Sequence, residues 1–141
     1  NIHAGTGTNN VIPGSLEVMF NFRYSTVVTH HQLKQQVTEL FDQHGLDYEI
    51  DWAHSGQPFL TPSGELVIAA QAAVHDVCGY LPNLSTVGGT SDGRFIAPTG
   101  AQVIELGVIN ESIHKVNECV KIADLETLAT IYQRILERLL G

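Results

Sequence analysis

The 141-residue sequence is short of positive charge, since seven lysines and arginines stand against 15 aspartates and glutamates, giving a formal charge of −8 at pH 7. This imbalance opposes association with nucleic acid or with an anionic membrane surface. No apolar run approaches the roughly 18 residues of a transmembrane helix. The composition therefore predicts a protein with no nucleic-acid partner and no membrane partner.

Cysteine is scarce, and an initiator methionine is missing. Cys78 and Cys119 allow at most one disulfide, and a chain of this length folds without one, so we expect a reducing, cytoplasmic setting. The sequence opens on Asn1 and has neither a basic segment nor an apolar segment of the secretory kind there. This start predicts that the chain is a piece of a longer protein.

The first part of the chain has the pattern strand, helix, strand. Apolar and polar residues alternate over residues 16–24 and again over residues 46–54, which is typical of half-buried strands. Between them, apolar residues recur at helical spacing, with Thr29 as the expected N-cap and Gly45 as the expected C-cap. Residues 55–62 hold one glycine and two prolines, and they predict a hinge or domain boundary.

The second part predicts two helices and two strands. The first helix is capped by Ser63 and ends before Gly79, and short strands follow at residues 84–87 and 102–106. A terminal helix has an apolar stripe formed by Leu125, Leu128, Ala129, Tyr132, Ile135, Leu136 and Leu139. The fold class indicated by these elements is α/β.

The most tempting catalytic motif is Gly-x-Ser-x-Gly at residues 89–93, which is typical of a serine-hydrolase nucleophile elbow with Ser91 as nucleophile and His114 as base. However, Ser91 and His114 lie only 23 positions apart, which leaves room for one strand where that fold needs several. A glycine-rich turn whose backbone N–H groups can meet an anion is the better-supported interpretation.

Seven histidines are many for this length, but no pair has the His-x-x-x-His spacing of a helical metal site. His30, His31, His44 and His54 fall at positions expected to be solvated surface. His114 differs, because it lies in a polar loop just past the C-terminal end of the predicted strand 102–106, where ligands of α/β proteins gather. It is the histidine whose position favours a functional role.

Four segments together resemble one known family. They are residues 9–14 (Asn-Asn-Val-Ile-Pro-Gly), 55–59 (Ser-Gly-Gln-Pro-Phe), 88–95 (Gly-Gly-Thr-Ser-Asp-Gly-Arg-Phe) and 113–118 (Ile-His-Lys-Val-Asn-Glu). In this order and spacing the whole chain resembles the bacterial succinyl-diaminopimelate desuccinylases, a family of dinuclear zinc amidohydrolases. The resemblance implies that this chain is the C-terminal part, a little over a third, of such an enzyme.

The resemblance also implies the organisation and the reaction of the parent enzyme. Such an enzyme has a catalytic domain with two zinc ions, which cobalt can replace, and an α+β lid domain through which two subunits form a homodimer. Residues 1–58 then match the second half of the lid, and residues 59–141 match the closing segment of the catalytic domain. The substrate is a small tricarboxylate, N-succinyl-L,L-diaminopimelate, which is hydrolysed to succinate and L,L-diaminopimelate in lysine and cell-wall precursor biosynthesis.

Carried over residue by residue, the resemblance implies one metal ligand and a set of substrate contacts. His114 matches the last of the family's five protein ligands, while the other four and the general-base glutamate lie upstream of this chain. Arg23 matches the residue that pairs with a substrate carboxylate. The remaining implied substrate contacts are Asn9 and Asn10 (reaching from the partner subunit), Ser55, Gly89, Thr90 and Asn110. Ser91 is not a nucleophile in this family.

Two alternatives stay open. Deacylases for acetylornithine and related metallopeptidases share the implied fold and the terminal histidine, so the choice of substrate depends on residues 88–95 and on Arg23. The chain could also be a non-catalytic dimerising fragment. Because His114 is the only implied ligand present, we expect the isolated chain to bind no stoichiometric zinc and to be inactive.

Overall fold

The computed structural model describes all 141 residues. In chain order its elements are strands β1 (Ile2–Ala4) and β2 (Leu16–Val18), helices α1 (His30–Gln43), α2 (Glu65–Cys78) and α3 (Gly93–Ile96), a 3-10 turn (Ala97–Thr99), and helix α4 (Ile122–Leu140). This mixture of helices with a small sheet is consistent with the predicted α/β class. None of the helices is long and apolar enough to serve as a bilayer span.

Strands β1 and β2 form an antiparallel hairpin in which Ile2 faces Val18 and Ala4 faces Leu16. The pairing extends by one further step, because the backbone N–H of Met19 donates to the carbonyl of Asn1 over 2.9 Å. Every residue of both strands is exposed. The hairpin is therefore held by backbone hydrogen bonds and not by burial.

Helix α1 begins with a reciprocal capping box. The hydroxyl of Thr29 accepts from the backbone N–H of Gln32 at 3.2 Å, and Oε1 of Gln32 accepts from the N–H of Thr29 at 2.8 Å. This confirms the predicted N-cap, which satisfies two of the N–H groups that a helix start leaves open. At the other end the C-cap is His44, one position before the predicted Gly45, and Gly45 follows it with φ 61°.

The core lies between α2 and α4. All of the buried residues belong to these two helices: Val67, Ala69, Ala70, Ala73, Val74, Ile131 and Ile135. On α4 the buried face is rotated from the predicted stripe. Ile131 was not in the predicted stripe and is buried, while Leu136 was in it and is 56% exposed.

The ends of α2 confirm one predicted cap and correct the other. Gly79 closes the helix in the left-handed region at φ 78°, where a glycine carries no Cβ penalty. The N-cap is Gly64 and not Ser63. The side chain of Gln102 replaces the expected serine, since its Oε1 accepts from the backbone N–H of Leu66 at 2.9 Å.

Four segments predicted as strands form none in the structure, namely residues 20–24, 46–54, 84–87 and 102–106. No backbone hydrogen bond pairs any of them with a neighbouring strand. A β ladder needs two segments that exchange N–H and C=O groups, and the chain supplies no partner for these four. The alternating pattern therefore predicts segments suited to a strand, but it does not supply the neighbouring strands that would form a sheet with them.

Side-chain contacts hold three of these segments in place instead. In the first part of the chain, the rings of Phe20 and Trp52 meet edge to face with centroids 6.4 Å apart. In the second part, Ile104 and Leu106 pack against the core, and the hydroxyl of Tyr132 donates to the carbonyl of Leu106 over 2.6 Å. Residues 102–106 are thereby fixed on the α2–α4 pair.

The segment predicted as a hinge is in contact with α3. A Cβ built on Gly56 would lie 2.7 Å from Cδ of Arg94, so the Arg94 side chain lies directly against this glycine. Phe59 is half-buried and Pro62 is exposed. The core contains no residue from 1–58. The boundary between residues 58 and 59 stays a prediction.

We expect Gly93→Ala to destabilise the fold, because the new Cβ would lie 2.6 Å from Cγ1 of Val103 and 2.9 Å from Oγ of Ser91. Overpacking of this kind costs about 1–3 kcal/mol in free energy of unfolding. Chemical denaturation measures the loss. The matched control is Gly107→Ala, since nothing lies within 4 Å of its Cβ position. An equal loss in both variants would contradict the packing argument.

Candidate functional site

The loop that carries His114 is closed by side chains. The hydroxyl of Ser112 donates to the carbonyl of Cys119 over 2.7 Å and accepts from the N–H of the same residue at 2.9 Å. The ammonium of Lys115 donates to the carbonyl of Glu111 over 2.8 Å. These contacts fold residues 111–119 back on themselves just beyond the segment that is fixed on the core.

His114 is exposed and lies at an unusual backbone conformation. Its φ is 61°, and Asn117 in the same loop has φ 62°; these are the two residues other than glycine with positive φ. The backbone N–H of His114 donates to Oε2 of Glu118 over 3.3 Å. No hydrogen bond or ion pair engages either ring nitrogen, so the imidazole is free to bind another group.

A cavity of about 490 Å³ lies in this loop. Its polar lining comes from Asn110, Ser112 and Glu118, and the rest of the lining is Val108, Ile109, Ile113, Cys119 and Val120. The backbone carbonyl of Asn110 accepts from the N–H of Ile113 at 3.1 Å. The side-chain amide of Asn110 makes no hydrogen bond within the chain. Asn110, a predicted substrate contact, therefore lines a recess beside the loop of the predicted metal ligand.

The glycine-rich turn precedes α3. Gly88 has φ 148°, and Gly89 and Thr90 are exposed. The hydroxyl of Ser91 accepts from the N–H of Gly93 at 2.9 Å, and it makes no hydrogen bond with His114. Ser91 therefore has a local structural role at the start of α3, and the structure offers the serine-hydrolase hypothesis no catalytic pair.

The other predicted substrate contacts are exposed and spread along the chain. Asn9 and Asn10 form a turn in the loop between β1 and β2, and Ser55 lies in the segment that leads to α2. Arg23 is exposed and takes part in no ion pair. No hydrogen bond or ion pair joins any of these residues to His114, so their membership in one site stays a prediction.

Arg94 was not predicted to be a site residue, although it belongs to the motif at residues 88–95. Its Nε is buried and has no hydrogen-bond partner, and its guanidinium lies 4.7 Å from the centroid of the Phe95 ring. The side chain passes against Gly56, next to the predicted substrate contact Ser55. An arginine directly after a turn expected to hold a carboxylate was the signal that could have found it.

His31 and His54 are exposed as expected, whereas His30 is half-buried, and the rings of the three are in contact. The ring of His30 lies 3.9 Å from that of His31 and 4.2 Å from that of His54, measured between centroids. His54 lies 23 positions beyond His31 in the sequence, and periodicity carries no information on such a contact. The three rings form a cluster at the start of α1, named here the histidine stack.

Metal-binding side chains do not gather within this chain. No group of three or more histidine, cysteine, aspartate or glutamate side chains has an arrangement that could hold a metal ion. His114 alone, exposed and with both ring nitrogens free, fits the part of one ligand in a set that other residues complete. A zinc site of any kind needs at least three protein ligands.

Comparison with known proteins gives one consistent result. The sequence profile of peptidase family M20/M25/M40 matches residues 2–138. The chain is 67% identical over its whole length to a protein of Alkalilimnicola ehrlichii named succinyl-diaminopimelate desuccinylase, of which it covers 38%. It is 66% identical to a protein of the same name from Acinetobacter baylyi, of which it covers 37%. The chain thus spans less than two fifths of these relatives, and the family resemblance inferred from the four motifs is confirmed.

We expect Ser112→Ala to loosen the loop of His114, because it removes both hydrogen bonds to the backbone of Cys119. A typical hydrogen bond contributes about 0.5–1.5 kcal/mol, so the protection of the Cys119 amide against hydrogen exchange should fall by roughly tenfold. The matched control is Ser63→Ala, since Ser63 is exposed and makes no hydrogen bond with its side chain. Unchanged protection in Ser112→Ala would show that the loop is held by other contacts.

Proposed function

Since the chain belongs to peptidase family M20/M25/M40, we propose that it is the C-terminal part of a metal-dependent amidohydrolase that hydrolyses N-succinyl-L,L-diaminopimelate to succinate and L,L-diaminopimelate. The observation that carries the proposal is the 67% identity, over every residue of the chain, to a relative named for that activity. In this proposal residues 1–58 belong to a lid and residues 59–141 close the catalytic domain.

The residues of this chain supply the grip on the substrate. Three carboxylates call for donors with defined geometry, and a guanidinium forms two parallel hydrogen bonds with one carboxylate. The exposed, unpaired Arg23 is suited to that pairing. The glycine-rich turn at Gly89 and Thr90 offers backbone N–H groups, and the free amide of Asn110 offers a further donor beside the cavity.

His114 would contribute one imidazole to a metal centre completed by the part of the protein that lies upstream. Zinc at such a centre supplies Lewis-acid chemistry for amide hydrolysis. The role of this chain is to place the ring, and it does so with a loop that Ser112 closes at its base. The number of zinc ions, two per subunit, and their replacement by cobalt are part of the proposal.

The β1–β2 hairpin would serve the partner subunit. Asn9 and Asn10 lie in its connecting loop and are exposed. In a homodimer formed through the lid, a loop of this kind can reach a neighbouring active site. The whole enzyme is proposed to work in the cytoplasm in lysine and diaminopimelate biosynthesis.

Reconstitution from two parts tests the proposed function. The chain is produced together with the N-terminal part of the parent protein, and succinate release from N-succinyl-L,L-diaminopimelate is measured with N-acetylornithine as the competing substrate. We expect activity only when both parts are present, preference for the succinylated substrate, and loss of activity in His114→Ala. The control is His44→Ala, which alters an exposed histidine at the end of α1.

Three results would contradict the proposal. They are preference for N-acetylornithine, full activity with His114→Ala, and a stoichiometric zinc site on the isolated chain. The last is checked by calorimetry, where a site tighter than about 1 μM corresponds to roughly −8 kcal/mol.

We expect Arg23→Lys to lower kcat/KM without unfolding the protein, because an ammonium is a point charge and cannot form the paired hydrogen bonds of a guanidinium. The loss should be about 1.5–3 kcal/mol in transition-state stabilisation, the range for a hydrogen bond to a charged group. Steady-state kinetics with the reconstituted enzyme measure it. Arg134→Lys is the matched control, since Arg134 is exposed and pairs only with Glu137 on α4. Equal kcat/KM in the two variants would remove Arg23 from the site.

A further inference from the structure

The histidine stack joins two parts of the chain that are distant in sequence. His30 and His31 open α1, and His54 comes from the segment that leads to α2. Tyr24, which precedes α1, places its hydroxyl 3.2 Å from Nε2 of His54. Nε2 of Gln57 lies 3.3 Å from Nδ1 of His30. The stack therefore attaches residues 54–57 to the first turn of α1.

The geometry is one of mutual contact between imidazole rings. His30 lies between the other two, at an interplanar angle of 19° to His54 and 38° to His31. Neutral rings at these separations attract one another through dispersion and π contact. Two protonated rings at the same separations repel, because rings in contact leave no room for solvent to screen the two charges.

The charges around the stack add to this repulsion. Lys34, one turn further along α1, is the remaining cation that bears on His30, and its ammonium lies 5.5 Å from the Trp52 ring. No carboxylate forms an ion pair with His30, His31 or His54. A positive charge placed on the stack is therefore not neutralised by a nearby acid.

The pKa of His30 is held below its ordinary value of 6.5, first by partial desolvation and then by the charges of His31, His54 and Lys34. The direction of the pH dependence follows from this lowered pKa. A separated His30 takes up a proton more readily than a stacked one, so lower pH favours separation. The stack is intact above the ordinary pKa and is weakened as the pH falls below it.

The hydrogen bond from Gln57 does not by itself make the contact sensitive to pH. Its side-chain amide can turn by half a rotation and present Oε1 to a protonated His30 ring, so this bond survives protonation. The stacking contact has no such alternative. The pH response is therefore carried by the repulsion between rings.

We propose that the histidine stack is a pH-sensitive latch that binds residues 54–57 to the start of α1 at neutral pH and releases them under mildly acidic conditions. The segment that it holds continues through Phe59 into α2, and its Gly56 lies against Arg94 of α3. Release would loosen the connection between the hairpin–α1 part of the chain and the helical core. This inference does not depend on the proposed substrate.

Two measurements on the full-length protein that carries this chain test the latch. The first is an NMR titration of ring-labelled histidines between pH 8 and 5, about the range in which imidazoles titrate. The second is limited proteolysis of residues 54–57 with a broad-specificity protease over the same range, corrected for the effect of pH on the protease. We expect a His30 midpoint below 6.5. We also expect the protection of this segment against cleavage to fall by up to about tenfold for each unit by which that midpoint is lowered.

The variants separate the latch from general acid destabilisation. His30→Gln retains an amide that can bond to Gln57 but has no titrating group, so the fall in protection should disappear. His31→Gln should raise the midpoint of His30 and reduce the fall. His44→Gln, on the same helix but outside the stack, should behave as the unaltered protein.

Three outcomes would overturn the latch. The first is a His30 midpoint at or above 6.5, and the second is the same fall in protection in His30→Gln as in the unaltered protein. The third is a midpoint that moves on addition of zinc and returns with a chelator, since the rings would then be metal ligands.

Discussion

The packing of α2 against α4 is the contact on which the second half of the structure depends. Ala69, Ala70 and Ala73 allow the two helices to approach closely, and Ile131 and Ile135 fill the surface between them. An ion pair of Asp76 with Arg138 joins the helices at the exposed rim. Such a surface pair contributes little beside the apolar contact. Residues 102–106 lie on this pair of helices, and the loop of His114 begins where they end.

The helices could be predicted because their signals are local. The capping box at Thr29 and the left-handed Gly79 follow from hydrogen bonds and backbone preferences within a few residues, and the sequence contains both in full. The buried face of α4 was harder to predict from the sequence. Which of two neighbouring apolar stripes is buried depends on the helix that it meets, so Ile131 replaced Leu136 for reasons that no single helix contains.

The strands and the site could be predicted only in part, because both are relations between distant segments. Alternation over residues 46–54 or 102–106 indicates a strand but cannot supply its neighbour. The expected roles of His114 and Arg23 came from family resemblance, and neither spacing nor charge would have singled out the arginine. The histidine stack was missed because nothing in a periodic pattern brings residue 30 to residue 54.

The positive φ angles of His114 and Asn117 have a consequence for how this loop tolerates change. A residue other than glycine in the left-handed region carries strain of order 1–3 kcal/mol, least for asparagine, which adopts this conformation most readily. Asn117→Gly would relieve strain without touching the imidazole, whereas His114→Gly would relieve it only by removing the ring. A search for more stable variants would therefore select glycine at both positions. Only at Asn117 would the gain in stability leave the imidazole of His114 in place.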